Sequence, residues 1–177
     1  MADNITLREL STVDEAALLD HECGLSFPWY TSGDYFLQCL DENRQGKRIT
    51  LMAYIDSDVA GYCHLLHYSS YPYFSENQIP EINDLNVFPR FRRRKVASAL
   101  FDELEAIAAK TYRYIGLGVG LYRDYGPAQI MYTARGYVMD GNGIMYKNVP
   151  VVPGQAAVVD DELLLYLIKD LAVKEEA

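Results

Sequence analysis

The amino-acid sequence predicts an α/β domain built around a mixed sheet. Strand-like and helix-like segments follow one another in the order β-α-α-β-β-β-α-β-α-β-β, which gives seven strands and four helices. Half of the 177 residues are hydrophobic and 23% are charged, as in globular proteins with one substantial core. No internal repeat or long linker interrupts this pattern. We therefore expect a single domain over residues 1–177.

The first half of the chain predicts a strand, two helices and a β-hairpin. Ser11 can cap the first helix through its hydroxyl, and Asp14 lies near the positive end of that helix dipole. The second helix has apolar residues at helical spacing, and Asp56-Ser57-Asp58 is the turn of the hairpin. The predicted elements are the strand Ile5–Leu10, the helix starting at Ser11–Asp14, the helix Asp34–Asn43, and the hairpin strands Ile49–Ile55 and Val59–Tyr68.

The second half of the chain predicts a loop followed by alternating strands and helices. Tyr, Pro and Ser dominate Ser69–Gln78, which indicates a loop. Apolar residues at positions 96, 100, 104 and 107 have the spacing of an amphipathic helix. The predicted elements are the strand Glu81–Val87, the helix Val96–Lys110, the strand Tyr114–Val119, the short helix Ala128–Arg135, and the strands Ile144–Tyr146 and Leu163–Ile168.

A basic cluster lies between the strand Glu81–Val87 and the helix that follows it. Five of the 16 Lys and Arg residues fall within the six positions Arg90–Lys95. The start of a helix presents unpaired backbone N–H groups and the positive end of the dipole, so it can bind phosphate. Such a basic run is also typical of nuclear-localisation or nucleic-acid-binding segments. The net charge of −9, however, argues against general affinity for nucleic acid or anionic membranes.

The residues around this cluster resemble a known motif. The run from Val87 to Leu100 is similar to motif A of the GNAT superfamily of acyl-CoA-dependent N-acetyltransferases, in which a strand is followed by Arg/Gln-x-x-Gly-x-Gly/Ala and a helix. Arg92 matches the Arg/Gln position, and Ala97 matches the final Gly/Ala position. Lys95 stands where the family usually has glycine, whose missing side chain lets the backbone approach the coenzyme pyrophosphate. A lysine can still adopt helical dihedral angles at this position, and it adds a positive charge.

A second segment resembles motif B of the same family. Ala128, Tyr132, Gly136 and Tyr137 match the Ala, Tyr, Gly and aromatic positions of that motif at the right offsets. The resemblance covers nearly the whole chain and is to a bacterial, single-domain branch of the superfamily. It implies the GNAT fold: a mixed, mostly antiparallel central sheet of about seven strands, with a V-shaped splay between the fourth and fifth strands and about four flanking helices.

The resemblance also implies acetyl-CoA as co-substrate. The backbone of Leu85 and Val87 is expected to pair with the pantetheine arm of the coenzyme, and the N–H groups from Arg93 to Ser98 are expected to bind its pyrophosphate. The predicted coenzyme-binding residues are Leu85, Val87, Arg92, Arg93, Arg94, Lys95, Val96, Ala97, Ser98 and Ala128.

Two residues are candidates for catalysis by analogy with the family. Tyr132 holds the motif-B tyrosine position, where a phenol can protonate the departing thiolate; a packed tyrosine is the alternative. Glu81 lies eleven residues before Arg92, where some family members have the general base. A solvated glutamate is the alternative at that position, Asp84 competes for the role, and solvent can also remove the proton from an exposed amine.

No metal site is expected. His64 and His67 lie on opposite faces of one predicted strand, and His21 has no partner at ligand spacing, so structural or surface roles are favoured for all three histidines. Three cysteines at unrelated spacings indicate reduced thiols in a cytoplasmic protein. None of them lies in either motif, so the sequence gives no support to a covalent acyl-cysteine route.

The sequence therefore predicts a cytoplasmic N-acetyltransferase that moves acetyl from acetyl-CoA to the primary amine of a small molecule by direct attack. The alternative is a non-catalytic CoA-binding sensor of the same fold, and a nucleic-acid-binding protein is a third hypothesis. The aromatic segments Phe27–Tyr30 and Tyr68–Phe74 are candidates for the acceptor side, for core cover or for a homodimer contact. No nucleic-acid or membrane partner is expected.

Overall fold

A computed structural model describes residues 4–172, with eight strands and five helices. These residues form two compact units: unit 1 contains residues 4–67 and 83–107, and unit 2 contains residues 68–82 and 108–172. The strands are β1 (Ile5–Glu9), β2 (Arg48–Ile55), β3 (Asp58–Leu66), β4 (Glu81–Val87), β5 (Tyr114–Gly120), β6 (Val138–Tyr146), β7 (Val149–Pro150) and β8 (Leu163–Asp170). The helices are α1 (Val13–Ser26), α2 (Tyr35–Arg44), α3 (Pro72–Glu76), α4 (Val96–Ala108) and α5 (Gly126–Ala134).

Strand β4 contributes residues to both units, and the strand order is β1-β2-β3-β4-β5-β8-β6-β7. The sheet is mixed because β4 and β5 are parallel, with Glu81 opposite Gly116 and Ile82 opposite Leu117. The pairs β1–β2, β2–β3, β5–β8, β6–β8 and β6–β7 are antiparallel. The α/β class and the mixed sheet are thus confirmed, with eight strands where seven were expected and five helices where four were expected. The splay between the fourth and fifth strands stays a prediction.

In unit 1, helix α1 begins with a capping box. The backbone N–H of Glu15 donates to Thr12 Oγ1 at 3.1 Å, and the backbone N–H of Thr12 donates to Glu15 Oε2 at 3.0 Å. The capping residue is therefore Thr12, and the prediction of Ser11 was wrong by one position. Ser11 instead donates to the Glu15 carboxylate through its backbone N–H and its hydroxyl, which adds to the same network.

Strands β2 and β3 form the centre of unit 1. Every residue from Thr50 to Ile55 and from Val59 to Leu65 is buried, so both faces of this hairpin are covered. Strand β3 also lies very close to β4: a Cβ built on Gly61 would come within 2.5 Å of the Asn86 carbonyl oxygen. Glycine at position 61 thus allows the two backbones to approach one another.

The core of unit 2 is aromatic. The rings of Tyr71 and Tyr166 stack with 3.8 Å between their centroids, and Phe74 meets both rings edge-on. Tyr71 and Phe74 come from the segment that was predicted to be a loop. That prediction was wrong in part, because Pro72 occupies the first turn of the short helix α3, where its missing N–H costs no hydrogen bond.

Strand β6 is longer than predicted and is irregular in its middle. Its pairing with β8 shifts between Met139 and Ile144, where Gly141 and Gly143 have φ angles of 88° and 78°. These left-handed residues interrupt the apolar alternation that marks a strand in the sequence, so only its last part was predicted. None of the helices formed by residues 4–172 is long and apolar enough to cross a membrane.

Candidate functional site

A basic loop in unit 1 joins β4 to α4. It leaves the strand at Phe88, passes through a single 3-10 turn at Pro89–Phe91 and reaches the start of α4 at Val96. Phe88 and Phe91 are both buried, so this loop is held to the core by two aromatic rings. Arg92, Arg93 and Lys95 are exposed, and their charges are available to a ligand.

The backbone of the basic loop has an unusual conformation. Arg93 and Lys95 have φ angles of 61° and 65°, in the left-handed region that non-glycine residues rarely adopt. Lys95 therefore does not adopt the helical dihedral angles that are open to a lysine at this position. Lys95 instead adopts a backbone conformation that glycine reaches without strain. The turn that these residues make places the unpaired N–H groups of the first residues of α4, starting at Val96, directly after three exposed cations, which is an arrangement suited to phosphate.

The strain at Lys95 gives a stability prediction. Both Lys95→Gly and Lys95→Ala remove the charge, but only glycine is unstrained at this φ, so the glycine variant is expected to be more stable than the alanine variant by about 1 kcal/mol. The midpoint of urea unfolding measures the difference. At a helical position the order would reverse, because alanine is favoured there by up to about 1 kcal/mol. Greater stability of the alanine variant would therefore contradict the left-handed conformation.

The predicted pantetheine-binding positions lie on β4 in unit 1. Leu85 and Val87 are both half-buried, so neither is sealed inside the core. Between Glu81 and these two residues, Asp84 has a φ angle of 51°, which is exceptional inside a strand. Left-handed non-glycine residues cost about 1–3 kcal/mol and are concentrated at functional sites. The φ angle of Asp84 therefore makes it a candidate functional residue.

Asp84 is the centre of a polar group in unit 1 that we call the Asp84 cluster: Tyr35, Tyr62, His64, Asp84 and Asn86. Tyr35 and Tyr62 donate hydroxyl hydrogen bonds to Asp84 Oδ2 at 2.7 and 3.2 Å, and His64 Nε2 lies 3.5 Å from the same oxygen. The Asn86 amide donates to Asp84 Oδ1 at 2.6 Å. Sequence reasoning named Asp84 and His64 separately but did not bring them together, since the three elements involved, α2, β3 and β4, are distant in sequence.

The protonation states within the Asp84 cluster follow from burial and hydrogen bonding. His64 is fully buried, and burial lowers its pKa in spite of the opposing attraction of Asp84, so the imidazole is neutral near pH 7. Burial opposes ionisation of Asp84. The hydrogen bond and charge attraction of His64, together with the hydrogen bonds from Tyr35 and Tyr62, outweigh burial and hold the pKa of the carboxyl below its ordinary value. Burial and the Asp84 charge raise the pKa of both tyrosines. The cluster therefore carries one negative charge.

In unit 2, Glu81 is buried at the start of β4. Only 5% of the residue is exposed, so the alternative of a solvated glutamate is wrong. Ser69 Oγ donates to Glu81 Oε2 at 2.5 Å, and the backbone N–H of Tyr71 donates to Ser69 Oγ at 3.0 Å. Because Ser69 is itself held by the backbone, this pair fixes the orientation of the carboxylate.

Tyr132 also lies in unit 2, on α5. It is 9% exposed, and its ring centroid is 6.3 Å from that of Tyr137. Ala128 precedes it by one helical turn and is half-buried. The helix is tied to β5 by the Gln129 side chain, which donates to the Gly120 carbonyl at 2.8 Å. The structure thus places Glu81, Ala128 and Tyr132 in unit 2, whereas the other predicted coenzyme-binding residues lie in unit 1.

The remaining candidates have different environments. His64 is buried, His67 is half-buried just after β3, and His21 is exposed. Within residues 4–172, no group of three His, Cys, Asp or Glu side chains could hold a metal ion. The three cysteines, Cys23, Cys39 and Cys63, are free thiols buried in unit 1.

The two aromatic segments also differ from one another. Trp29 is 64% exposed and stacks on the buried ring of Phe27 at 5.1 Å, so part of the Phe27–Tyr30 segment faces solvent. In the second segment, Tyr71 and Phe74 belong to the core of unit 2, whereas Tyr68 is exposed. The alternative that this segment covers the core is therefore confirmed for Tyr71 and Phe74.

Comparison with known proteins gives a family and a fold. The family model described as "Acetyltransferase (GNAT) family" matches residues 13–137. A GNAT-family acetyltransferase structure from Desulfovibrio desulfuricans is similar to this chain with a TM-score of 0.69 at 15% identity, over 95% of this chain and 99% of that one. No curated protein sequence matches the chain.

Two further solved structures contain a coenzyme. The YncA protein of Salmonella typhimurium, solved with acetyl-CoA, has a TM-score of 0.65 at 18% identity, over 98% of this chain and 96% of that one. An aminoglycoside 6'-N-acetyltransferase complexed with coenzyme A has a TM-score of 0.66 at 16% identity, over 97% of this chain and 99% of that one. At these identities the three similarities establish the fold.

Proposed function

Because the chain belongs to the acetyltransferase (GNAT) family, we propose that it transfers the acetyl group of acetyl-CoA to the primary amino group of a small molecule. The observation that carries this proposal is the basic loop, where the exposed cations Arg92, Arg93 and Lys95, the last two with left-handed φ angles, precede the start of α4. Phosphate groups of a coenzyme match this arrangement in charge and in hydrogen bonding. The coenzymes bound to YncA and to the aminoglycoside acetyltransferase support a ligand of the same kind here.

In this proposal, unit 1 binds the coenzyme mainly through its backbone. The N–H groups from Arg93 to Ser98 bind the pyrophosphate, with the charges of Arg92, Arg93, Arg94 and Lys95 around it. Leu85 and Val87 are half-buried, and their backbone pairs with the pantetheine amides, as one strand pairs with another. Ala128, on α5 in unit 2, stays a predicted coenzyme-binding residue.

The chemistry requires a neutral amine and a protonated leaving group. Glu81 takes one proton from the ammonium, and the nitrogen lone pair then attacks the thioester carbonyl carbon. As the C–N bond forms and the C–S bond breaks, the Tyr132 hydroxyl gives its proton to the departing sulfur. The second proton of the nitrogen restores the tyrosine through solvent, so one proton is released for each amide formed. Holding the two reactants together supplies much of the acceleration.

The Ser69–Glu81 hydrogen bond supports the role given to Glu81. A base must meet the ammonium in one defined orientation, and the donor chain from the Tyr71 backbone through Ser69 fixes the carboxylate. The transfer is direct, since the three thiols are buried in unit 1 and none of them belongs to either motif. Buried free thiols also support the cytoplasm as the place of action. We further propose that the two units work as one acetyltransferase domain.

A non-catalytic CoA sensor remains the second candidate function. The argument for a sensor is that Lys95 replaces the usual glycine at the pyrophosphate-binding turn. The φ angle of Lys95 weakens this argument, because the lysine keeps the backbone shape that glycine would have. Saturable coenzyme binding without thiol release over a broad panel of amines would favour the sensor.

Calorimetric titration with acetyl-CoA tests the proposed site. We expect saturable binding to the unmodified protein and at least about tenfold weaker binding to Arg92→Ala/Arg93→Ala, because two cations next to the phosphates are lost. The matched control is Arg8→Ala/Arg44→Ala, which removes the same charge from exposed positions outside the basic loop. Equal weakening of binding in the control would show that the effect comes from net charge alone. Absence of binding at millimolar acetyl-CoA would refute the proposal.

A further inference from the structure

The Asp84 cluster has no part in the chemistry described so far. It contains a carboxylate that is held by hydroxyl and amide donors, and it occupies a strained backbone position on β4. The side chains behind the cluster are also held in place, because His64 Nδ1 lies 2.8 Å from Thr50 Oγ1 and the Thr50 backbone N–H donates to Asn43 Oδ1 at 3.2 Å. A network of this extent fixes the carboxylate in one position.

One side of the carboxylate remains open to a ligand. The Asp84 side chain is 27% exposed. Oδ2 is surrounded by Tyr35, Tyr62 and His64, whereas within the described part of the chain Oδ1 accepts a hydrogen bond from Asn86 alone. A carboxylate offers about four lone-pair positions for donors. Oδ1 can therefore accept at least one further hydrogen bond from a donor outside the protein.

The charge of Asp84 is not neutralised by its neighbours. Tyr35, Tyr62 and Asn86 are neutral donors, and His64 is neutral near pH 7 because burial lowers its pKa. A partly buried carboxylate without a charged partner attracts a cation more strongly than an exposed one does, since less water screens it. The expected ligand of this site is therefore positively charged.

Aromatic rings surround the same carboxylate and continue toward the surface. Tyr35 lies 6.0 Å from the His64 ring and 5.0 Å from the Phe36 ring, and Phe36 lies 5.0 Å from Tyr62. The series goes on from Phe36 to Tyr30 at 6.1 Å and from Tyr30 to the exposed Trp29 at 6.1 Å. Rings next to an anion favour an organic ammonium group. Phe36 and Tyr62 are buried, so Tyr35, Tyr30 and Trp29 are the rings that such a ligand can contact.

We propose that the Asp84 cluster binds an ammonium group of the acceptor other than the one that is acetylated. The acceptor is thus an amine with a second ammonium group that is cationic at neutral pH, such as a diamine or polyamine. This inference rests on the proposed acetyl transfer and adds the class of its acceptor. Asp84 is an anchor and not the base, because its carboxyl has a pKa below the ordinary value and leaves a bound ammonium protonated. A protonated nitrogen has no lone pair for the attack.

The test is a calorimetric titration with spermidine as the probe, at about 0.15 M salt so that general attraction to the acidic protein is screened. We expect saturable binding, weakened at least about tenfold in Asp84→Asn. Asparagine has nearly the same shape and tolerates a positive φ, so this variant should fold. The matched control is Asp58→Asn, which removes one exposed carboxylate of unit 1 and should bind spermidine as the unmodified protein does.

Two results would overturn the anchor: no spermidine binding by the unmodified protein at millimolar concentration, or equal affinity in Asp84→Asn and Asp58→Asn. Acetyl-CoA titration of Asp84→Asn separates this inference from the proposed function. Retained acetyl-CoA binding with lost spermidine binding supports both of them. If the unmodified protein binds spermidine through Asp84 but does not bind acetyl-CoA, the acetyl-transfer proposal fails while the cation site stands. During turnover, Asp84→Asn should raise KM for spermidine more than it lowers kcat.

Discussion

Tyr132→Phe is expected to lower kcat for acetyl transfer about 100-fold, the low end of what one general acid contributes. The variant removes one oxygen and keeps the ring that packs near Tyr137 in unit 2. Acetyl-CoA affinity should therefore change little, because the phenol acts on the sulfur only as the C–S bond breaks. The measurements are thiol release with the best amine of a panel and calorimetric titration with acetyl-CoA.

The control for this prediction is Tyr146→Phe, which makes the same chemical change at a half-buried position of unit 2. Tyr146 lies on β6 and donates to Asp160 at 3.1 Å, so the loss of its hydroxyl should leave kcat within about twofold. An unchanged kcat in Tyr132→Phe would remove the tyrosine from the mechanism. A parallel loss of acetyl-CoA affinity and kcat would make Tyr132 a coenzyme-binding residue.

Gly61→Ala is expected to lower the free energy of unfolding by about 2–3 kcal/mol, in the upper range for overpacking. The new methyl group would lie 2.5 Å from the Asn86 carbonyl oxygen and 3.1 Å from the Val87 Cα. Both are backbone atoms of β4, which cannot turn aside as a flexible side chain can. Strand β3 or β4 must shift, and the shift would also disturb the backbone at Val87 that is proposed to bind pantetheine.

Urea unfolding of Gly61→Ala measures this cost, with Gly33→Ala as the matched variant. Nothing lies within 4 Å of a Cβ at Gly33, and its φ is not in the left-handed region, so that substitution should change stability by less than about 0.5 kcal/mol. If Gly61→Ala were as stable as Gly33→Ala, the close approach of β3 and β4 would be wrong.

The elements that were predicted well are those with an uninterrupted pattern. Strand β4 was predicted to the residue, as Glu81–Val87, and α4 begins at Val96 as expected. The predictions failed where a local feature breaks the pattern. Gly141 and Gly143 interrupt the strand pattern, so the first part of β6 was not predicted. The segment containing α3 has the composition of a loop, although its Tyr71 and Phe74 belong to a core.

The candidate site was predictable only where its residues are close in sequence. The basic loop and α5 each occupy one short segment, so their composition and spacing could be read directly. The left-handed φ of Lys95 could not be inferred, because lysine seldom adopts it and the sequence gives no sign of the turn. The Asp84 cluster joins α2, β3 and β4 and exists only once these elements pack. The alternation of Tyr62 and His64 on one face of an apolar strand was the one signal available.

The three buried cysteines can report the opening of unit 1 without an added label. Burial raises the pKa of Cys23 to about 12 and that of Cys39 to about 11, so almost no thiolate is present at neutral pH. All three thiols belong to unit 1, and a water-soluble thiol reagent can therefore modify them only when unit 1 opens. The rate of that modification in the resting protein measures how often unit 1 opens, without any denaturant, and modification of Cys63 alone reports exposure of β3. Because these thiols are unreactive in the folded protein, they do not add to the signal when the CoA thiol released during turnover is titrated.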